Sequence, residues 1–287
     1  MNSRPPEPAL AELDTKLAAL DDCLRSLGSV LVAYSGGVDS AFLAYQAHRV
    51  WGERMLAVLA DSPSLARSQR DDAVAFAAEH GIPLRVIATE EVENPEYARN
   101  GADRCFFCKD ELFRAMEALR DELGFAAVAY GMNTDDRGDF RPGQRAAAEH
   151  RVAAPLAEAG LGKSDVRELA RAAGLRVWDK PASACLSSRI AYGMEVTMEN
   201  LSMIERAEEV LRGLGFRIFR VRYHGEIARI EIAREEMPRV FAGDTRQTIV
   251  AELKALGFKF VSLDLEGFRS GSMNSVLPLE QIRTTAS

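Results

Sequence analysis

The hexapeptide Ser35-Gly36-Gly37-Val38-Asp39-Ser40 puts two glycines, two hydroxyls and a carboxylate between an apolar run, Val30–Tyr34, and a helix-like stretch, Ala41–Ala47. Glycines let the chain turn tightly, and the free N–H groups of a starting helix attract phosphate. Ser35 and Ser40 add donors, and Asp39 suits a magnesium ion on the same phosphates. The pattern lacks the spacer and the Gly-Lys-Ser/Thr ending of a Walker A loop. The cysteines offer a second chemistry. Cys105-Phe106-Phe107-Cys108 precedes a helical stretch, and Cys185 lies in Pro181-Ala182-Ser183-Ala184-Cys185-Leu186-Ser187-Ser188-Arg189. A Cys-x-x-Cys pair serves as a redox dithiol, as half a zinc site or as part of an iron–sulfur site. No second pair or neighbouring His pair completes a zinc knuckle. Three cysteines fit a [4Fe-4S] cluster with one iron open to an extra sulfide; redox or persulfide chemistry and plain structural thiols stay open beside it. Cys23 reads as a free, partly packed thiol without a role.

A chain of 287 residues with 47% apolar content can bury a sizeable core, and its length suggests a large domain with a smaller one. The net charge of −7 argues against a general nucleic-acid surface, although a local basic groove is compatible with it. No apolar run approaches the roughly 18–20 residues that cross a bilayer. Residues 1–12, polar and proline-rich at their start, read as a disordered lead-in without a signal-peptide core. Cysteines without a secretory signal point to the cytoplasm.

The elements that position these groups follow from periodicity. Strands are expected at Val30–Tyr34, Met55–Ala60, Leu84–Ala88 and Ala126–Tyr130, and helices at Asp39–Val50, Ser64–His80, Lys109–Leu123 and Ser164–Ala173, the last with Ser164 as its N-cap. Repeated β–α units imply an α/β fold, a doubly wound parallel sheet covered on both faces, with ligands beyond the strand C-termini. Residues 1–193 are assigned to this Rossmann-like unit and 194–287 to a smaller α+β unit. The latter holds a helix at Glu199–Leu214, strands at Phe216–Tyr223 and Ile227–Ala233, a helix at Thr245–Leu256 and a strand at Phe258–Leu265. If Gly225 and Glu226 form the hairpin turn, Val221 faces Ile230 and Phe219 faces Ile232. The opposite, exposed face then pairs Arg220 with Glu231 and Arg222 with Arg229. The like-charged pair points to an anion such as a substrate phosphate.

The hexapeptide resembles the PP-loop of ATP pyrophosphatases, which split ATP between the α and β phosphates and leave AMP on an acceptor oxygen. Along nearly the whole chain the sequence is similar to the LarE family of sulfur transferases. The similarity runs through Asp61-Ser62-Pro63-Ser64, Cys105-x-x-Cys108-Lys109, Gly131-Met132-Asn133-Thr134-Asp135-Asp136 with Asp139, Arg141-Pro142-Gly143, and Gly162-Lys163-Ser164 with Arg167. It continues through Lys180 to Arg189 and Arg220-Val221-Arg222-Tyr223-His224-Gly225.

The resemblance implies ATP-dependent adenylation of pyridinium-3,5-biscarboxylic acid mononucleotide and its conversion to thiocarboxylates, in nickel-pincer nucleotide cofactor biosynthesis. It implies Ser35, Gly36, Gly37, Asp39 and Ser40 at ATP and magnesium, with Asp61 and Ser62 near the nucleotide. Asn133, Asp135 and Asp136 would orient the adenylate or act as turn caps. Lys163 and Arg189 would stabilise α-phosphate charge, and Ser188, Arg189, Arg220, Arg222 and Glu231 would bind the substrate. Family members with a single cysteine at the Cys185 position give up that sulfur. Cys105 and Cys108 mark this chain as similar to the variant holding [4Fe-4S] on three cysteines. A sulfur donor, other nickel-pincer pathway enzymes and a homo-oligomer are implied partners, with neither nucleic acid nor membrane. The closest rival is a PP-loop tRNA thiolation enzyme, which needs a basic surface. An amidating synthetase leaves the cysteines unexplained.

Overall fold

The computed structural model describes residues 7–136, 142–181, 184–269 and 271–273, with side chains from residue 11 onward. The sequence positions Asp139, Arg141, Ala182 and Ser183 lie outside the described residues.

The first half alternates as the periodicity requires. Helix α1 (Glu7–Ser26) leads into β1 (Val30–Ala33), α2 (Val38–Trp51), β2 (Met55–Asp61), α3 (Arg67–Glu79) and β3 (Leu84–Ala88). Short α4 (Pro95–Ala98) and long α5 (Arg104–Leu123) precede β4 (Ala127–Tyr130), followed by α6 (Pro142–Glu149), α7 (Pro155–Glu158) and α8 (Lys163–Ala172). The four strands form one parallel sheet in the order β3-β2-β1-β4. Central β1 is buried along its whole length, which explains its unbroken apolar sequence. One face packs on α1, α2 and α8 through residues such as Leu20, Phe42 and Leu169. The other packs on α5 and α6 through Phe113, Met116 and Ala147.

The chain then builds α9 (Met198–Gly213), β5 (Phe219–His224), β6 (Ile227–Ile232), α10 (Thr245–Ala255) and β7 (Phe260–Leu263). The second sheet has the order β5-β6-β7, antiparallel then parallel. The hairpin register is the expected one, with Val221 on Ile230, Arg220 on Glu231 and Arg222 on Arg229. Among the described residues no helix is long and apolar enough to cross a membrane.

Four expectations need correction. Residues 7–12, read as disordered, lie in α1. Helix α5 begins at Arg104, so Cys105 and Cys108 sit within its first turns and not ahead of it; their i, i+3 spacing puts them on one helix face. Helix α8 is capped at Gly162, whose N–H donates to Asp165 Oδ2 at 3.0 Å, so Ser164 is already helical. The arginine face of the hairpin is not exposed, because Glu231 is fully buried and Arg222 is 5% exposed.

Candidate active site

The turn after β1 is shaped by close packing. Gly36 has φ +68°, and a Cβ there would lie 2.6 Å from Cβ of Ala73 on α3. Ser40 Oγ accepts from the Ser35 N–H at 3.1 Å, lies 3.0 Å from Ser35 Oγ and donates to the Gly37 carbonyl at 3.2 Å. Gly131 closes the cradle from β4: a Cβ there would lie 2.8 Å from the Ser40 nitrogen. Asp39 Oδ2 pairs with Lys163 Nζ at the start of α8. Its other oxygen, Oδ1, is buried without a hydrogen-bond partner among the described residues. A buried, orphaned carboxylate oxygen beside a phosphate-type turn fits a magnesium ion.

The flanking groups are tied into this frame. Burial works against ionisation of Asp61, but Arg67 at 2.5 Å and Arg70 at 2.9 Å hold its carboxyl below the usual range. Ser62 is buried, donating to Glu91 and accepting from the Ser64 N–H at 2.9 Å. Asn133, Asp135 and Asp136 cap their own turn, with Asp135 N–H on Asn133 Oδ1 at 2.9 Å and Asn133 N–H on Asp136 Oδ2 at 3.2 Å. Asp135 Oδ2 also accepts from the Lys163 N–H at 2.7 Å, which docks α8 so that Lys163 reaches Asp39.

Cys185 caps a 3₁₀ turn, Leu186–Arg189, and its Sγ lies 3.0 Å from Ser187 Oγ. Leu186 and Ile190 anchor the turn in an apolar cluster with Tyr97 of α4 and Leu201 and Ile204 of α9. Two hydrogen bonds fix it to both sheets' surroundings. The Leu186 N–H donates to the Ser64 carbonyl after β2 at 2.7 Å, and Arg222 Nη1 on β5 donates to the Ser188 carbonyl at 3.1 Å. Burial pushes the Cys185 thiol up, but Arg104, the Ser187 hydroxyl, Arg189 and the Ser188 N–H together bring it below its ordinary value. A depressed thiol is a readier nucleophile. Cys108 goes the other way, raised by burial and by Glu91.

The expected cluster ligands are not assembled. Among the described residues no group of three or more His, Cys, Asp or Glu side chains is placed to hold a metal ion. Cys105 is exposed, while Cys108 and Cys185 are half-buried. The three thiols share an electrostatic neighbourhood, with Arg104 beside Cys105 and Cys185. As placed, the three thiols do not form a closed ligand set for a cluster.

Beside the Cys185 turn opens a cavity of about 440 Å³ walled by Arg104, Ser188, Arg217, Arg220, Arg222 and Arg269. Burial, then Arg189 and Arg222, lower Arg220 to about 10, the signature of a cation in a positive field. Glu231 does not line the cavity. It lies under it, accepting from Arg222 at 2.8 Å, from Arg229 at 3.3 Å and from Ser272 at 2.8 Å. Asp264 also pairs with Arg229 at 2.9 Å, so the Arg222–Arg229 pair is compensated from within and requires no bound anion. Arg189 also departs from its expected place at the α-phosphate. It is 1% exposed, gripped by Glu208 at 2.9 Å, and its Nη1 donates to the Ala184 and Cys185 carbonyls. It holds the Cys185 turn in shape.

Sequence reasoning missed Glu208, Asn100, Arg104 and the cavity wall at Phe268, Arg269, Gly271 and Met273. Glu208 had a signal: it falls four residues after Ile204 and three before Leu211, on the buried face of α9. Asn100 and Arg104 had none, because their partners lie about ninety residues on in the Cys185 segment.

No family model matches the chain. It is 37% identical over 278 residues to pyridinium-3,5-bisthiocarboxylic acid mononucleotide synthase of Lactiplantibacillus plantarum, covering 96% of this chain and all of that one. It is 42% identical over 265 residues to an uncharacterized protein of Synechocystis, covering 92% and 99% of the two chains. A glutamine-hydrolyzing GMP synthase of Maridesulfovibrio salexigens is 23% identical over 229 residues, 69% of this chain and 43% of that one. With a relative of named activity matched over 96% of this chain and the whole of its own length, the chain belongs to the LarE family.

Proposed function

We propose that this chain adenylates a carboxylate of pyridinium-3,5-biscarboxylic acid mononucleotide with ATP and replaces the activated oxygen with the sulfur carried by Cys185, in nickel-pincer nucleotide cofactor biosynthesis. Each chain gives one sulfur, so that the second carboxylate is converted on a second chain. Residues 1–193 activate the carboxylate, and residues 194–287 supply the strand that grips the mononucleotide. Magnesium bound at Asp39 would neutralise phosphate charge. The substrate carboxylate attacks the α-phosphorus, and pyrophosphate departs into the Ser35–Ser40 cradle. Lys163, held beside Asp39, offers positive charge where negative charge builds. The Cys185 sulfur then attacks the acyl carbon, forming a thioester as the C–O bond to AMP breaks. Loss of the Cα proton and cleavage of the Cβ–S bond release the thiocarboxylate and leave dehydroalanine. Ser188 and Arg220 hold the substrate phosphate meanwhile. No step is routed through an iron–sulfur cluster, for which the described thiols form no ligand set.

One observation carries this reading: the Cys185 turn is hydrogen-bonded on one side to the turn after β2 and on the other to the arginine strand β5. That double attachment of the segment bearing Cys185 supports the reading that one sulfur serves both halves of the molecule. Incubation with ATP, magnesium and the dicarboxylate mononucleotide should yield AMP and pyrophosphate in step with thiocarboxylate. Formation of ADP and orthophosphate would overturn the proposal.

A further inference from the structure

Charge accounting in the interior singles out Arg104. Among the described residues three arginines are more than nine-tenths buried: Arg104, Arg189 and Arg222. A guanidinium does not shed its proton, so burying it without opposite charge is costly. Arg189 has Glu208, and Arg222 has Glu231. Arg104 has no carboxylate partner among the described residues. Its Nη1 donates to the Asn100 amide oxygen and, at 3.0 Å, to the Ser187 carbonyl. Asn100 is itself fully buried and pinned through Nδ2 to the Ala191 carbonyl at 2.9 Å. A fixed cation thus lines the cavity at its Cys185 side with no carboxylate partner among the described residues, its acidic neighbours being the Cys185 and Cys105 thiols. Arg217 and Arg269, on the same cavity, are exposed, and Arg220 is half-buried. The cavity therefore carries a buried cation beside the sulfur and exposed cations elsewhere on its wall.

A mononucleotide has the matching polarity. Its phosphate and its ring substituents are separated by the ribose, and sulfur transfer requires the ring end near Cys185. A dicarboxylate ring also keeps one carboxylate charged while the other reacts, and a planar guanidinium pairs with a carboxylate through two parallel hydrogen bonds. Resting on the functional reading above, we propose that Arg104 is a specificity residue that binds a ring carboxylate of the pyridinium mononucleotide, while Arg220 and Ser188 bind its phosphate.

Equilibrium titration of the full chain without ATP tests this with nicotinic acid mononucleotide and nicotinamide mononucleotide, which differ only in a ring carboxylate against a neutral amide. The wild-type chain should prefer the acid by about tenfold. Arg104→Gln should bring the two within about threefold by lowering affinity for the acid alone. Arg220→Gln should weaken both probes alike. Should Arg104→Gln fail to fold, Arg104→Lys is decisive: a point charge without the fork should lose part of the preference. A full preference in either Arg104 variant, or an equal loss for both probes in Arg104→Gln, overturns the proposal. If neither probe binds the wild-type chain, the mononucleotide reading of the cavity falls as well.

Discussion

Asp39 keeps one carboxylate oxygen on Lys163 and buries the other without a partner among the described residues. That asymmetry marks it as a residue kept for a ligand, since native interiors seldom leave a carboxylate oxygen orphaned. Asp39→Ala should therefore cut AMP and pyrophosphate formation by about a hundredfold or more while the fold survives, checked by radiolabelled ATP and circular dichroism. Undiminished pyrophosphate release would remove the nucleotide assignment. Cys185→Ser should separate the two half-reactions: adenylation continues, and thiocarboxylate is absent by mass spectrometry of the products. Sequence made these two residues legible because their signals are local, a glycine-hydroxyl turn in one case and a cysteine amid small polar residues in the other. Arg189 shows the limit of that reading. Its chemistry suggested a phosphate contact, but Glu208, nineteen positions away, draws it into the interior.

Elements in this fold are coupled by a few buried polar joints. Glu208 on α9 takes the Arg189 guanidinium from the Cys185 turn and also accepts from the Val221 N–H of β5 at 3.2 Å. Glu208→Ala leaves Arg189 as an uncompensated buried charge and should cost about 3–5 kcal/mol, read from urea unfolding. A loss below about 1 kcal/mol would show that the joint is not structural. A second joint ties α6 to α5. His150 lies 2.9 Å from both Asp110 and Glu117, and Arg114 also pairs with Asp110. Burial lowers the imidazole, but the two carboxylates outweigh it and raise it above 6.5. A raised group stabilises the fold fully below its unfolded value and loses that contribution as pH rises through the folded one. The difference in Tm between wild type and His150→Gln should thus be largest below about pH 6 and shrink toward pH 8.5. A gap independent of pH would refute the assignment. Of the two joints only Glu208 left a trace in the sequence, its place on the buried face of α9, whereas the hairpin register was legible outright, because alternation alone fixes which side chains of β5 and β6 face each other.

At the scale of the molecule, the parallel sheet and the smaller mixed sheet meet at the Cys185 turn, which hydrogen-bonds toward both. The order of β–α units was legible because each strand and helix announces its own period. The closing of the cavity by Phe268 and Arg269 was not, since that wall depends on where the chain returns after β7. Gly36→Ala tests the tightness of the assembly: it adds a Cβ 2.6 Å from Ala73 at φ +68° and should destabilise by about 1–3 kcal/mol with loss of ATP binding, followed by calorimetry. The central claim is that carboxylate activated by ATP meets sulfur borne by Cys185. Intact and peptide mass spectrometry of the wild-type chain after turnover with ATP, magnesium and the dicarboxylate mononucleotide tests it most directly. The account predicts that the Cys185 peptide loses the mass of one hydrogen sulfide as thiocarboxylate forms. Thiocarboxylate formed over an unchanged Cys185 would contradict it.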